Sequence, residues 1–227
     1  MKIDFNKKME EMIEGLNSNH PKLLLHACCA PCSTACLFRV LEYFDVTIYF
    51  YNPNIYPEAE YFRRRDEIFE FVRKVNESLL QKDSSAAKVK IVEREYNPSE
   101  YDNAVRINED PELATEPERG ERCRRCYEFR LIKAHEYACS NGFDFFATTL
   151  TLSPYKDATK VNEIGRQIDE EIIGFEKIEK GTKAKYLYTD FKKKNGYLNS
   201  LNYSKEYNLY RQNYCGCKYS LENTRPN

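Results

Sequence analysis

Apolar residues return along this chain in two alternating rhythms: short continuous runs, then longer stretches in which they recur every third or fourth position. The continuous runs are Lys22–Ala27 (KLLLHA), Val46–Tyr51 (VTIYFY), Val89–Glu93 and Phe143–Thr151 (FDFFATTLT), each short enough for a buried strand. Between them the spacing predicts helices over Ser33–Phe44, Pro57–Gln81, Ser99–Arg106, Glu121–Asn141 and Asp157 to about Glu171. A leading helix over Met1–Asn19 aligns Ile3, Phe5, Met9, Met12, Ile13 and Leu16 on one face. The acidic stretch Asn108–Gly120, with its prolines, reads as a loop.

Strands alternating with helices predict an α/β fold: a parallel-sheet, Rossmann-like core with helices on both faces. One domain is expected over 1–227, with an N-terminal helix (1–20), the α/β core (22–176) and a helical, Tyr- and Lys-rich C-terminal extension (177–227). In open parallel sheets ligands sit outside the carboxyl ends of the strands. Cys28-Cys29 and the turn Thr151–Asp157 both follow such ends. The chain has no G-x-G-x-x-G or P-loop motif to support nucleotide binding.

Composition narrows the chemistry. At 227 residues, 41% apolar and 31% charged, a single domain buries on the order of 70% of its unfolded surface and needs no disulfide to hold a core. The N-terminus lacks the uninterrupted apolar stretch of a signal peptide, and no run approaches the roughly 20 residues of a membrane span. A soluble, cytoplasmic protein without a membrane partner is expected. In a reducing compartment nine cysteines point to metal binding or redox work rather than to a disulfide framework.

Net charge is −1, which alone argues against a nucleic-acid partner, but its distribution is uneven. From Lys177 to Asn227 eleven Lys/Arg face four Asp/Glu, an excess of seven positive charges. Tyr186, Tyr188, Tyr197, Tyr203, Tyr207, Tyr210, Tyr214 and Tyr219 are interleaved with them. Cations and aromatic rings in this arrangement suit a single-stranded nucleic acid, and Lys192-Lys193-Lys194 before Asn195-Gly196 and Tyr197 suit phosphate contacts.

The cysteines fall into three clusters: Cys28-Cys29 with Cys32 and Cys36; Cys123-x-x-Cys126; and Cys215-Gly216-Cys217. Cys123 and Cys126 open a predicted helix on one face, where the helix dipole and Arg122, Arg124 and Arg125 are expected to favour thiolates. Cys28 and Cys29 leave a strand end, so the two pairs could form a four-thiolate set. Spacing leaves zinc and an iron–sulfur cluster about even, and the adjacency of Cys28 and Cys29 tilts the balance toward a cluster. Cys32 has ligand spacing from Cys29 and could replace one of the pair or serve a second metal. Cys36, one helical turn on, reads as core, and so does Cys139, alone on its helix. With one glycine between them, Cys215 and Cys217 suit either a strained, redox-active disulfide or further metal ligation. His20, His26 and His135 read as ordinary structural histidines, although His26 precedes Cys28 closely enough to face a site.

Five motifs resemble the QueH-type epoxyqueuosine reductases. They are His26–Cys32 (HACCAPC), Tyr51–Ile55 (YNPNI), Glu121–Leu131 (ERCRRCYEFRL), Ala147–Leu150 (ATTL) and Tyr210–Cys217 (YRQNYCGC), spread over about Lys22–Tyr219. The resemblance implies a 4Fe-4S cluster on Cys28, Cys29, Cys123 and Cys126, with Cys215 and Cys217 as a redox-active, catalytic pair. It implies reduction of epoxyqueuosine to queuosine at the wobble position of tRNA by two-electron loss of the epoxide oxygen. Cobalamin is not expected, the electron donor is not named, and an additional mononuclear iron is compatible, with Cys32 or the terminal pair as its ligands. The general acid is not readable: Lys156, Asp157 and His26 lie near strand ends, but each has a plainer loop or core reading. The competing functions are a zinc-stabilised tRNA-binding module without catalysis and a thiol oxidoreductase using Cys215 and Cys217.

Overall fold

The computed structural model describes residues 3–17, 20–84, 88–171 and 183–222. The ends of the expected leading helix (1–2 and 18–19), and residues 177–182 and 223–227 of the basic extension, lie outside them. In chain order the elements are α1 (Phe5–Glu14), β1 (Lys22–His26), α2 (Ala30–Val40), β2 (Asp45–Phe50), α3 (Glu58–Lys82), β3 (Lys90–Glu93) and α4 (Pro98–Val105). There follow α5 (Glu121–Ser140), β4 (Phe145–Thr148), α6 (Ala158–Asp169), β5 (Lys185–Tyr186), α7 (Gly196–Glu206) and α8 (Lys218–Glu222).

The five strands form one parallel sheet in the order β3-β2-β1-β4-β5. This is a doubly wound order, and its direction reverses between β1 and β4, where a crevice opens beyond the carboxyl ends. β1 shows why both faces must be covered. Leu23 and Leu25 pack with Cys36, Leu37, Ile68 and Phe71 from α2 and α3. Leu24, pointing the other way, packs with Leu131, Ala134, Val161 and Ile164 from α5 and α6.

Two elements differ from the sequence reading. The run Phe143–Thr151 is strand only over Phe145–Thr148, and Thr149–Leu152 closes into a 3-10 turn that begins when the Thr148 hydroxyl accepts the Leu150 N–H at 3.2 Å. The extension also adds an edge strand, β5, that only two residues define and periodicity could not reveal. Both changes bring chain to the switch point. The first turns residues 153–157 toward the end of β1.

Candidate metal centre and its cavity

Three segments deliver thiols to the carboxyl end of the sheet. Cys28 leaves β1, and Cys29, in extended backbone, is the N-cap of α2, with a proline in the helix's first turn. Ser33 Oγ donates to the Cys29 carbonyl at 2.7 Å and Thr34 Oγ1 to the Pro31 carbonyl at 3.0 Å, which fixes this first turn. The sulfurs of Cys28, Cys29 and Cys32 all lie within 4.8 Å of one another, close enough to hold a metal ion. Cys36, one turn further, is fully buried in the core.

The second segment is the start of α5. Glu116 reaches across the turn, and its carboxylate accepts the Glu121 and Arg122 N–H groups at 2.7 and 2.8 Å, capping the helix that carries Cys123 and Cys126. A side chain at Gly120 would meet that carboxylate at 2.1 Å. The third segment is the Cys215-Gly216-Cys217 turn. Gly216 has φ +129°, open to glycine but rarely to other residues, and its carbonyl accepts the Tyr56 N–H at 2.7 Å. Arg64 Nη1 donates to the Cys215 carbonyl at 3.3 Å. Cys217 is buried in one apolar cluster with Cys126, Tyr101, Val105 and Tyr219. All nine cysteines are free thiols.

Arg122 favours the thiolate at Cys123, but its effect is small beside that of burial. Burial dominates, and it pushes Cys123 up to about 11 and Cys126 up to about 12, with Cys215 and Cys217 adding to the effect. The arginines are occupied elsewhere. Arg122 is buried against the Leu113 and Ala114 carbonyls, Arg124 pairs with Glu121 and Glu128, and Arg125 with Asp110 and Glu121. Without a metal these two groups stay protonated. A bound cation would displace their protons.

Cys28 behaves oppositely. Hydrogen bonds from Cys29 and Cys32, and then the charges of Lys156 and Arg130, hold its thiol well below the ordinary value. Burial works against the charge of Lys156, but Cys215, Cys28 and Cys32 outweigh it and keep the ammonium protonated. Arg130 is fully buried, with Nε toward His26 Nε2 (3.2 Å), Nη2 toward Asn52 Oδ1 (2.6 Å) and Nη1 toward Cys126 Sγ (3.9 Å). Arg64, also fully buried, pairs with Glu60 at 2.7 Å and leaves Nη2 without a partner. No carboxylate pairs with Lys156 or Arg130 among the described residues. Three buried cations with one carboxylate between them suit an anionic group beside the thiols; among the described residues the metal-binding grouping takes in Cys28, Cys29 and Cys32, and Cys123 and Cys126 are not part of it.

Sequence reasoning passed over several of these residues. Gln212 Nε2 lies 3.0 Å from Cys29 Sγ and joins the C-terminal segment to α2. Arg64 carries no local pattern that sets it apart from a surface residue, and Arg130 and Gln212, although inside the ERCRRCYEFRL and YRQNYCGC motifs, gain their roles only through tertiary placement. His26 proves structural. Its Nδ1 lies 2.9 Å from Thr148 Oγ1, its Nε2 lies 3.2 Å from Arg130 Nε and 3.3 Å from the Tyr51 carbonyl, and burial and then Arg130 depress its pKa to about 3. Asp157 caps α6 by accepting the Thr159 and Lys160 N–H groups at 3.0 and 3.1 Å.

The lysine run is also partly spoken for. Lys192 pairs with Asp190 at 3.8 Å and Lys194 with Glu10 of α1, so Lys193 is the exposed member with no carboxylate partner among the described residues. Beside the thiols lies a cavity of about 570 Å³ lined by Cys32, Cys215, Lys156, Tyr155, Tyr197 and Arg211. Its size suits a nucleoside-sized ligand. No helix among the described residues is long and apolar enough to cross a membrane.

Comparison with known proteins decides the family. The family model described as "Epoxyqueuosine reductase QueH" matches residues 23–223, spanning all three thiol segments. The chain belongs to the QueH family. Among curated QueH members, the epoxyqueuosine reductase of Streptococcus pyogenes serotype M1 is 40% identical over 97% of this chain and 79% of its own length. That of Staphylococcus epidermidis is 38% identical over 96% of this chain and 85% of its own. A more distant QueH, from Thermotoga maritima, is 31% identical over 88% of this chain and 90% of its own. The QueH match thus runs across the sheet, both thiol-bearing helix starts and the Cys-Gly-Cys turn.

Proposed function

We propose that this chain is a tRNA-modifying epoxyqueuosine reductase. In this reading a 4Fe-4S cluster is held by Cys28, Cys29, Cys123 and Cys126, Cys215 and Cys217 form a redox-active pair, and cobalamin takes no part. The observation that carries it is the shared cavity: Cys32, Cys215 and the buried Lys156 ammonium line one opening beside the thiol cluster. A structural zinc site is closed, whereas reductive chemistry needs substrate access. The 4.8 Å grouping sets Cys32 beside Cys28 and Cys29, which supports Cys32 as a ligand of an additional mononuclear iron next to the cluster.

Bound at these thiols, the cluster would supply electrons one at a time. The reaction takes two electrons and two protons, breaks both epoxide C–O bonds, forms a carbon–carbon double bond and releases water. The electrons come from an external reductant. Lys156 is placed to hold the epoxide oxygen as negative charge develops on it, in a buried setting where one such donor counts for much. Arg64 and Arg130 keep the thiol environment positive and favour accumulation of electrons there. The Cys215–Cys217 turn, held by Arg64 and Tyr56, keeps the Cys215 thiol at the cavity wall, with Cys217 buried behind it beside Cys126.

The test is mass spectrometry of nucleosides after reduced, anaerobically reconstituted protein has been incubated with epoxyqueuosine-containing tRNA. Queuosine should appear in proportion to iron–sulfur content and only with a reductant. A fully loaded, reduced protein that left epoxyqueuosine unchanged would overturn the assignment.

A further inference from the structure

Tyr155 is the most exposed large hydrophobic side chain among the described residues, with 67% of its surface open, yet it stands at a cavity whose other walls include Lys156, Cys32 and Cys215. An exposed ring is ordinarily mobile with its loop. Here the backbone beneath it is pinned from three directions. The Arg119 guanidinium donates to the Pro154 carbonyl and, at 3.2 Å, to the Tyr155 carbonyl. Lys160 Nζ donates to the Arg119 carbonyl at 2.6 Å, tying that arginine to α6. The Tyr155 N–H is taken by Ser153 Oγ at 3.2 Å, and the Lys156 N–H by the Ser153 carbonyl at 3.2 Å. The main chain is thus fixed while the ring keeps its surface free.

The same cavity carries a second ring, Tyr197, with the Arg211 guanidinium 5.8 Å from its centre. Arg211 is itself held by Ser204 Oγ at 3.0 Å and the Ser200 carbonyl at 3.4 Å, both on α7. A fixed exposed ring, a second ring and two cations against one carboxylate, Glu118, around about 570 Å³ suit a planar heterocycle that carries a phosphate chain.

We propose that Tyr155 is the stacking platform for the modified base, which leaves the anticodon-loop stack and enters this cavity with its epoxide-bearing substituent toward Lys156 and Cys215. The inference rests on the reductase reading and adds how the substrate is held. Stacking on an aromatic ring needs no particular hydrogen-bond edge, so it positions the base while the inner groups act on the substituent. Tyr155 is therefore a positioning residue for the reaction. Among the described residues its hydrogen bonds run through the backbone, so the ring itself is left open.

The experiment uses the anaerobically reconstituted protein and two anticodon stem-loop RNAs, one with a purine and one with an abasic residue at the wobble position. The parent should bind the purine loop more tightly. Tyr155→Ala should weaken that binding by roughly 5- to 150-fold, the ordinary range for one stacked base. It should leave the abasic loop unaffected, and Tyr155→Trp should restore the discrimination. In turnover with epoxyqueuosine-containing tRNA, Tyr155→Ala should raise KM more than it lowers kcat. Equal losses on both loops, no loss on either, or a parent indifferent to the base would overturn the stacking role. A parent that discriminates between the loops but never reduces epoxyqueuosine would leave the stacking role standing and remove the reductase reading instead.

Discussion

Gln212 reaches across 183 residues of chain to place its amide nitrogen 3.0 Å from the Cys29 sulfur, and its own Oε1 is buried without a partner. In this orientation the amide N–H points at the sulfur, as suits a metal-bound Cys29 that has lost its proton. Hydrogen bonds to sulfur stabilise added electron density and so raise the potential of an iron–sulfur group. Gln212→Leu should shift the midpoint potential of the reconstituted protein to more negative values while iron content stays at the parent level. Anaerobic spectroelectrochemical titration reads both, and an unchanged potential would separate Gln212 from the centre.

Cys123 and Cys126 sit on the first turns of α5, where burial keeps them protonated until a metal binds. Cys123→Ala or Cys126→Ala should lose colour, acid-labile sulfide and turnover together. Cys139→Ser should keep all three, because that thiol lies 3.3 Å from His135 on the far part of α5. Iron and sulfide analysis of the three variants checks the assignment. A full load in both α5-start variants would remove them from the ligand set.

Lys156 is the buried cation that lines both the thiol group and the cavity. Replacing it by Met removes the charge offered to the epoxide oxygen, and turnover should fall by about 10²- to 10³-fold, the usual cost of one such donor. Affinity for tRNA should change little, since most of that affinity comes from phosphate contacts. Single-turnover kinetics and tRNA binding, measured on one preparation, distinguish a lost chemical step from lost binding.

Lys192 and Lys194 are paired with Asp190 and Glu10, which leaves Lys193 as the cation of the run with no carboxylate partner among the described residues. Neutralising all three should reduce the log–log salt slope of tRNA binding by about one unit rather than three. Lys194→Gln alone should cost at most about 1 kcal/mol of stability, as surface pairs do. Binding isotherms at several salt concentrations decide it. A loss of three units would mean that the two pairs open on the RNA.

His135 is held neutral, its pKa depressed by burial and then by Lys183 to about 4. Between its ordinary value near 6.5 and about 4, the unfolded chain binds a proton that the folded chain does not. Its contribution is therefore fully present above pH 6.5 and is lost as pH falls toward 4. Urea midpoints of the parent and His135→Gln, taken from pH 7.5 to 5, should converge toward acid. Parallel midpoints would show that His135 titrates normally in the fold.

The alternation of apolar runs with helical periodicity was enough to predict the parallel sheet, because a strand buried on both faces and a helix buried on one leave different spacings along the chain. The clustering of Cys28, Cys29, Cys123, Cys126, Cys215 and Cys217 was equally readable, since neighbouring thiols are rare by chance, and the five ordered motifs carried the family. Sequence could not say which thiols lie closest, because Cys32 joins Cys28 and Cys29 only through the first turn of α2. Nor could it say which charges are buried. Arg64, Arg130 and Lys156 read along the chain like any surface cation, and only the convergence of α3, α5 and the turn after β4 removes them from water. The same convergence sets the partners of Arg122, Arg124 and Arg125 at Leu113, Glu121, Glu128 and Asp110, and burial outweighs the help Arg122 gives the Cys123 thiolate. Spacing along one segment is a local property. Burial, ion pairing and the order of thiols around a centre depend on several segments at once, so tertiary structure decided them.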